Sequence, residues 1–300
     1  MRTKRITTKR EGAGVAKKLT KAQIKDINFQ YLPRLTVNNA DEYLNKSAKR
    51  SARVRKKLAC QVDVPYGATT GQMLDIFPAS RKGSPVHVFI HGGYWRSLDK
   101  DFYSHLAGPM VSAGATVVLP NYDLCPNVRI TDIVFQIRSA IAWVYKNIAK
   151  HNGDPKRIYV SGHSAGGHLT GMMIATDWSK VGRLPKNLIK GFAPLSGLFD
   201  IEPHRHSQLQ QDIRLTAQEA KAMSPMYLAP LAKGPAIVAV GGAEPDLFHW
   251  QSLEYAARLR FHRIKVEYVS TPGDNHFAIT DRLGNAQDPL TKALISQMGL

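Results

Sequence analysis

Short apolar runs alternate with longer stretches of helical periodicity from about residue 72 onward. Seven such runs, bounded by Gly, Pro or Asn, predict strands at residues 73–78, 86–90, 115–120, 157–162, 189–197, 235–242 and 264–269. Apolar residues spaced three and four apart predict helices at about residues 101–113, 131–150, 165–176, 247–261 and 287–298. This alternation predicts βαβ units, and therefore a mostly parallel sheet with helices on both faces.

The predicted strands and helices fit one large domain. The runs VHVFI and PAIVAV are apolar nearly throughout, which is typical of strands buried on both faces. We expect a central sheet of about eight strands in a single domain that spans residues 26–300. The irregular segment near 200–230 is expected to form a small cap over the carboxyl edge of the sheet, where such folds bind ligands.

Positive charge is concentrated in the first part of the chain. Of 41 Lys and Arg, 17 lie within the first 60 residues, together with only four of the 23 Asp and Glu. Residues 1–25 therefore predict a basic, disordered arm, which can make weak electrostatic contacts with nucleic acid or anionic lipid. An organelle transit peptide is a second interpretation. Residues 46–57 predict a charged helix face without interleaved aromatics, so no specific nucleic-acid partner is expected.

The remaining composition predicts a cytoplasmic protein. Only two cysteines occur, Cys60 and Cys125, which suits a reducing compartment. No run of about 18 apolar residues is present, so no membrane span is expected. The N-terminal region lacks the apolar stretch of a secretory signal.

A serine motif, GHSAG at 162–166, stands between a predicted strand and a predicted helix. A serine at the tip of a sharp strand-to-helix turn needs neighbours without bulk, and Gly162 and Gly166 meet that need. Ser164 would stand at a helix N-terminus, where the helix dipole stabilises developing negative charge. In this context the pattern predicts that Ser164 is a catalytic nucleophile.

A serine hydroxyl needs a base, and a carboxylate must orient that base. His276 lies in a loop that follows a predicted strand, whereas His262 precedes the same strand and should lie at the opposite edge of the sheet. His276 is therefore the predicted base. The acid should follow the preceding strand, where both Glu244 and Asp246 occur. Their spacing leaves the choice open, although Asp246 is also well placed to begin a helix.

Two glycines follow the strand VHVFI in the sequence HGGYW, residues 91–95. Because glycine lets the backbone approach a substrate closely, the N–H of Gly93, with Gly92 as a second donor, is predicted to bind the oxyanion. The N–H of Ala165, which follows the nucleophile, is the other predicted donor. His91 is expected to brace this loop.

The large rings of Tyr94 and Trp95, together with His163, are predicted to shape a substrate pocket. No metal is expected. His204 and His206 form an H-R-H pair, but no third ligand lies nearby in the sequence.

The stretches HGGYW, GHSAGGHL and NHF together resemble the kynurenine formamidase (arylformamidase) branch of the α/β-hydrolases, near the hormone-sensitive-lipase-like esterases. The stretches NYDLCP, PLSGLFDIEP and FHWQS extend the resemblance over about residues 40–285. It implies the α/β-hydrolase fold and a catalytic serine, acid and histidine. Counting back from FHWQS, the family's acid position falls on Glu244, which ranks it above Asp246. This chain departs there from the commoner Asp.

The resemblance implies hydrolysis of N-formyl-L-kynurenine to kynurenine and formate, without a cofactor. A homodimer is also expected. A broad carboxylesterase or carbamate hydrolase is the alternative within the same machinery, because fold and site do not fix the substrate. A binding protein on a hydrolase scaffold is a third hypothesis, and the presence of both Ser164 and His276 argues against it.

Overall fold

The computed structural model describes residues 19–300, which surround one eight-stranded sheet. The strands are β1 (Gln61–Pro65), β2 (Met73–Phe77), β3 (Ser84–Ile90), β4 (Thr116–Pro120), β5 (Gly153–His163), β6 (Ile189–Leu195), β7 (Ala236–Gly241) and β8 (Val266–Thr271). Their order across the sheet is β1-β2-β4-β3-β5-β6-β7-β8. The pairs β1–β2 and β2–β4 are antiparallel, and every other pair is parallel. The predicted sheet of about eight mostly parallel strands is confirmed.

Helices cover both faces of the sheet. They are α1 (Lys21–Tyr31), α2 (Ala40–Lys57), α3 (Ala107–Ser112), α4 (Ile130–Asn147), α5 (Ala165–Ile174), α6 (Gln210–Ile213), α7 (Ala217–Ala222), α8 (Asp246–Phe261), α9 (Ala278–Arg282) and α10 (Pro289–Gln297). One buried cluster joins the sheet to α4, α5 and α8, and a second joins its opposite face to α3, α9 and α10.

The two apolar clusters explain why the central strands are apolar nearly throughout. In β3, Val86, Val88 and Ile90 belong to the cluster under α4 and α5, while Phe89 belongs to the opposite cluster. Successive side chains of a strand point to opposite faces, so a strand covered on both faces is apolar at nearly every position; His87, the exception in VHVFI, is buried with its Nε2 2.6 Å from Ser161 Oγ. The sequence pattern therefore reports helices on both sides.

The structure differs from the sequence prediction at the arm boundary. Helix α1 begins at Lys21, so part of the segment predicted as a disordered arm is helical; residues 1–18 lie outside the described residues. Thr20 and Gln23 form a capping box, in which the Gln23 N–H donates to Thr20 Oγ1 at 3.3 Å and the Thr20 N–H donates to Gln23 Oε1 at 2.9 Å. This capping box begins α1, so residues 21–25 are helical.

The helix predicted at 101–113 is mostly replaced by tighter turns. Two 3₁₀ helices, at Lys100–Phe102 and Ser104–Leu106, precede the short helix α3. Pro109 explains the difference, because a proline in a helix interior costs about 3 kcal/mol but is tolerated in the first turn. Beginning α3 at Ala107 puts Pro109 in that first turn.

The segment near 200–230 lies between β6 and β7. It contains α6 and α7, flanked by 3₁₀ helices at Glu202–His206 and Pro225–Tyr227, and it buries several apolar residues, including Leu209, Ile213 and Leu215. Within residues 19–300, no helix combines the length and the apolar character that a bilayer crossing requires.

Candidate active site

Ser164 lies on a sharp turn between β5 and α5. Its backbone has φ 59° and ψ −118°, in a region that non-glycine residues rarely occupy. A β-carbon on Gly162 would lie 2.3 Å from the Gly166 carbonyl oxygen, and one on Gly166 would lie 2.0 Å from that of Ile90. Both positions therefore require glycine. The strand–turn–helix context predicted for GHSAG is present.

His276 and Glu244 form a buried pair. His276 lies in the turn after β8, and its Nδ1 is 2.6 Å from Glu244 Oε2. The other carboxylate oxygen, Oε1, accepts the Gly241 N–H at 2.7 Å and the Ser196 hydroxyl. Glu244 is 6% exposed, whereas Asp246 is exposed in the first turn of α8. Of the two candidate acids, the structure brings Glu244 to His276.

Ser164, His276 and His163 line one cavity at the carboxyl ends of the strands. The His163 ring centroid lies 4.5 Å from that of His276. His163 is 4% exposed, and neither of its ring nitrogens has a hydrogen-bond partner among residues 19–300. Burial, and secondly the charge that His276 can carry, hold the pKa of His163 well below its ordinary value. His163 is therefore a neutral imidazole at neutral pH.

The loop after β3 lies against the nucleophile turn. A β-carbon on Gly92 would lie 2.8 Å from the His163 carbonyl oxygen and 3.1 Å from Ser164 Cβ. Gly93 has φ 117°, and a β-carbon there would lie 1.9 Å from the Ser97 carbonyl oxygen. Both glycines of HGGYW thus allow contacts that no side chain would permit. Ala165, the other predicted donor, is the first residue of α5.

His91 braces this loop from inside. Its Nδ1 is 2.8 Å from the Gly92 carbonyl oxygen, its Nε2 is 2.8 Å from Asn121 Oδ1, and its ring stacks on Tyr122 at 4.2 Å between centroids. Burial lowers the pKa of His91. The ring is thus packed as a brace, as its place in the sequence predicts.

The aromatic pair Tyr94 and Trp95 separates into two roles. Tyr94 lines the cavity, but Trp95 is fully buried beneath the loop and does not. The Trp95 indole N–H donates to His168 Nδ1 at 3.1 Å, and His168 Nε2 donates to the Met223 carbonyl oxygen at 2.7 Å. The prediction that Trp95 shapes the pocket is corrected, because its indole N–H finds a buried partner in the core.

One cavity wall comes from the N-terminal segment, which no sequence motif connects with the site. The turn after α1 and the start of α2 line the cavity, and Gln208 and Leu209 line it from the segment near 200–230, which was expected at this edge of the sheet. The lining is largely apolar and aromatic: Leu32, Leu35, Tyr43, Leu44, Leu98, Phe102, Tyr103, Leu209 and Phe277. For this region the sequence predicted only a charged helix face at residues 46–57, and that pattern does not show which distant residues the segment contacts.

The H-R-H pair does not form a metal site. His204 is fully buried against the rings of Tyr31, Tyr94 and Trp95, while His206 is exposed. Among residues 19–300, the His, Cys, Asp and Glu side chains form no group of three with metal-binding geometry.

Comparison with known proteins agrees with this arrangement. Residues 87–280 match a family model described as the alpha/beta hydrolase fold. A kynurenine formamidase of Danio rerio is 32% identical over 90% of this chain and 93% of its own length. One from Salmo salar is 31% identical over 82% of this chain and 85% of its own. An esterase of Mycobacterium tuberculosis is 27% identical over 74% of this chain and 58% of its own.

Solved structures place the fold in the same group. A crystal structure from Silicibacter sp., described as that of a proposed thioesterase, has a TM-score of 0.78 and 29% identity, over 89% of this chain and 97% of that one. An esterase of Pyrobaculum calidifontis has a TM-score of 0.73 at 17% identity, over 94% and 98% of the two chains, which shows the fold alone. This chain is therefore a hydrolase, and it belongs to the α/β-hydrolase family, in the branch that contains the kynurenine formamidases.

Proposed function

We propose that this enzyme hydrolyses N-formyl-L-kynurenine to kynurenine and formate through an acyl-enzyme. The observation that carries the substrate is the similarity to the Danio rerio kynurenine formamidase, which extends over 90% of this chain. The similarity thus includes the N-terminal segment and the segment near 200–230, both of which line the cavity. A match confined to the catalytic turns would support only the chemistry.

The acylation step uses the residues around the cavity floor. Ser164 Oγ attacks the formyl carbon while His276 accepts the hydroxyl proton, and Glu244 orients the imidazole and stabilises its charged form. The developing oxyanion is held by the N–H groups of Gly93 and Ala165, with Gly92 as a second donor from the loop. His276 then donates its proton to the aryl amine nitrogen as the C–N bond breaks.

The deacylation step repeats this chemistry with water. His276 accepts a proton from a water molecule, which attacks the formyl-serine carbon, and the proton then returns to Ser164 Oγ as formate leaves. The same oxyanion donors serve both steps. The chain's own side chains and backbone supply every group that these two steps use.

The cavity walls suit an aryl leaving group. The apolar and aromatic lining offers a flat surface to a benzene ring, and neutral His163 can hydrogen-bond a substrate polar group beside the reacting carbon. The loop from Gly93 to Leu98 includes Tyr94, Trp95 and Leu98 at φ values between 51° and 66°. This loop lies against the nucleophile turn, where a β-carbon on Gly92 would be 3.1 Å from Ser164 Cβ, and such close contact beside the nucleophile supports a small acyl group such as formyl.

A broad carboxylesterase or carbamate hydrolase is the second candidate, and the relationship to the Mycobacterium tuberculosis esterase favours it. The same serine, histidine and acid would serve a small ester, because only the acyl and leaving groups differ.

Steady-state hydrolysis of N-formyl-L-kynurenine and of p-nitrophenyl acetate tests both candidates, with wild type and Ser164→Ala side by side. We expect formamide hydrolysis at kcat/KM above about 10⁴ M⁻¹s⁻¹, an ordinary enzyme value, and its loss in the variant. Hydrolysis of the ester alone would overturn the formamidase proposal and favour the esterase. Activity that survives in Ser164→Ala would overturn the nucleophile assignment.

The homodimer, the cytoplasmic location and the weak electrostatic contacts of the basic arm stay predictions of the sequence. Light scattering at micromolar concentration tests the first. Salt-dependent binding to anionic vesicles, compared between the full chain and a chain lacking residues 1–18, tests the last.

A further inference from the structure

The charged residues of the cavity are all of one sign. Arg34 and Arg96 line it, and among the described residues no Asp or Glu does. His163 is held neutral by burial, and Glu244 lies behind His276, outside the lining. The carboxylates that pair with these arginines, Asp41 and Asp212, lie outside the lining, so the cavity wall itself presents guanidinium groups, which suit a carboxylate ligand.

The two arginines lie nearer to solvent than the nucleophile does. The Arg34 and Arg96 side chains are 57% and 41% exposed, whereas Ser164 is 3% exposed. The guanidinium groups therefore mark the mouth, and the serine marks the floor. A substrate that fills this cavity would carry its reacting carbonyl at one end and a negative charge at the other.

Each guanidinium is fixed by one contact that leaves other donors available. Arg96 Nη1 donates to Asp212 in α6, and Arg34 Nη1 lies 2.8 Å from Asp41 Oδ1. Within residues 19–300, the Nε and Nη2 groups of Arg96 have no other side-chain or backbone partner. A planar guanidinium held at one nitrogen can still bind a carboxylate with the remaining ones.

Arg96 is also tied to the oxyanion loop. Its backbone N–H donates to the Gly93 carbonyl oxygen at 3.1 Å. A carboxylate bound at Arg96 would thus be held by the same short loop that carries the Gly93 N–H, which we place at the reacting carbonyl. This arrangement would orient a substrate as well as attract it.

We propose that Arg96, together with Arg34, binds the carboxylate of the substrate at the cavity mouth, so that the enzyme selects aryl formamides that carry a carboxylate on the leaving group. The inference rests on the proposed function and extends it, since N-formyl-L-kynurenine carries a carboxylate remote from its formamide. It assigns the two arginines as specificity-determining residues of that site.

A matched pair of substrates isolates the charge. The acid 4-(2-formamidophenyl)-4-oxobutanoate and its carboxamide share the scissile bond and the ring, and differ only in the terminal group. We expect wild type to prefer the acid by about tenfold in kcat/KM, a modest value because the arginines are partly exposed. Raising NaCl from about 0.05 M to about 0.5 M should reduce this preference by screening the charges.

Variants assign the preference to the two arginines. Arg96→Gln and Arg34→Gln should each lower the acid-to-carboxamide ratio, and the double variant should bring it close to one. Using the ratio cancels any general loss of activity. Arg81→Gln, at an exposed turn outside the cavity, serves as the matched control and should keep the wild-type ratio. A wild-type ratio near one, or a double variant with the wild-type ratio, overturns the proposal.

A binding experiment separates this proposal from the formamidase proposal. The products 4-(2-aminophenyl)-4-oxobutanoate and its carboxamide are compared as inhibitors of p-nitrophenyl acetate hydrolysis. Tighter inhibition by the acid, lost in the double variant, supports the anionic site even if no formamide is cleaved. Equal inhibition constants in wild type overturn it, even if N-formyl-L-kynurenine is a good substrate.

Discussion

The Nδ1 atom of His276 lies 2.6 Å from Oε2 of Glu244, and both side chains are almost completely buried. The Gly241 N–H and the Ser196 hydroxyl hold the other carboxylate oxygen. The glutamate, which is one carbon longer than aspartate, therefore reaches the imidazole from a fixed anchor. Its orientation does not depend on solvent.

Glu244→Gln tests this anchor, because glutamine keeps the shape and removes the negative charge that favours the imidazolium form. We expect kcat/KM to fall by about 10³–10⁴-fold, as for other triad acids, with little change in folding. Asp246→Asn is the matched control and should stay within about twofold of wild type, since Asp246 is exposed. A large loss in Asp246→Asn with a near-normal Glu244→Gln would reverse the assignment.

Gly93→Ala should disable the oxyanion loop. The new methyl group would lie 1.9 Å from the Ser97 carbonyl oxygen at a φ of 117°, so the loop must move and the N–H must leave its place. We expect kcat to fall by about 10²–10³-fold, the effect of losing one oxyanion donor.

Gly108→Ala provides the comparison, because nothing lies within 4 Å of a methyl group there and the residue is in α3. It should keep full activity and gain about 0.5–1 kcal/mol in free energy of unfolding, measured with urea. A Gly93→Ala enzyme with normal kcat would remove this loop from the mechanism.

Trp95→Phe should cost stability without changing substrate choice. It removes buried volume and also the hydrogen bond to His168, which leaves the Nδ1 of that ring without a donor. Trp178→Phe removes similar volume but no hydrogen bond, since the Trp178 indole N–H has no partner in the described chain. We expect Trp95→Phe to lower the free energy of unfolding by about 1–2 kcal/mol more than Trp178→Phe. An altered formamide-to-ester ratio in Trp95→Phe would return that side chain to the pocket.

The buried ring of His204 should lower the free energy of unfolding in acid. Burial, and secondly the charge of His168, lower the pKa of His204 to about 3, whereas an unfolded histidine has a pKa of about 6.5. Between these values the unfolded chain binds a proton that the folded chain does not, so stability falls as the pH drops through this window. At pH 5 this one residue costs about 2 kcal/mol relative to pH 7.5.

His204→Phe tests the sign of this effect, because a phenyl ring suits the aromatic cluster around it. Urea unfolding at pH 7.5 and pH 5 should show about 2 kcal/mol less acid destabilisation in His204→Phe than in wild type. His206→Gln, at an exposed position two residues away, should keep the wild-type difference. Equal acid sensitivity in wild type and His204→Phe would mean that His204 takes up its proton in the folded state.

The nucleophile turn could be predicted from the sequence because contacts within and beside the turn determine its glycines. The cavity walls could not, because they depend on contacts between residues far apart in the chain. The glycines at 162 and 166 are required by atoms within the turn or on the adjacent strand, so their spacing alone indicated the nucleophile. The strands buried on both faces were equally visible, because their apolar pattern is set by the layers around them. Strand β1 is exposed along almost its whole length, so no apolar run marked it.

Tyr94 and Trp95 show the limit of local reasoning. The two rings are adjacent in sequence and similar in character, yet one lines the cavity and the other is fully buried. The difference depends on His168, which lies 73 residues later and accepts the indole hydrogen bond. The cavity wall at Leu32 and Tyr43 could not be predicted for the same reason. These residues are far from His276 in the sequence and line one cavity with it only in the folded protein.

The cavity is assembled from two parts of the chain, one within the region that matches the family model and one before it. The region that matches the family model, residues 87–280, contains the nucleophile turn, the oxyanion loop, Glu244 and His276, whereas Arg34, Tyr43 and the rest of the N-terminal wall lie before it. Mutations in that wall can therefore change which leaving group is accepted while the bond-breaking residues stay untouched. Residues 32–47 are therefore one place, along with Arg96 and the segment near 200–230, where substrate preference can be altered without touching the catalytic centre.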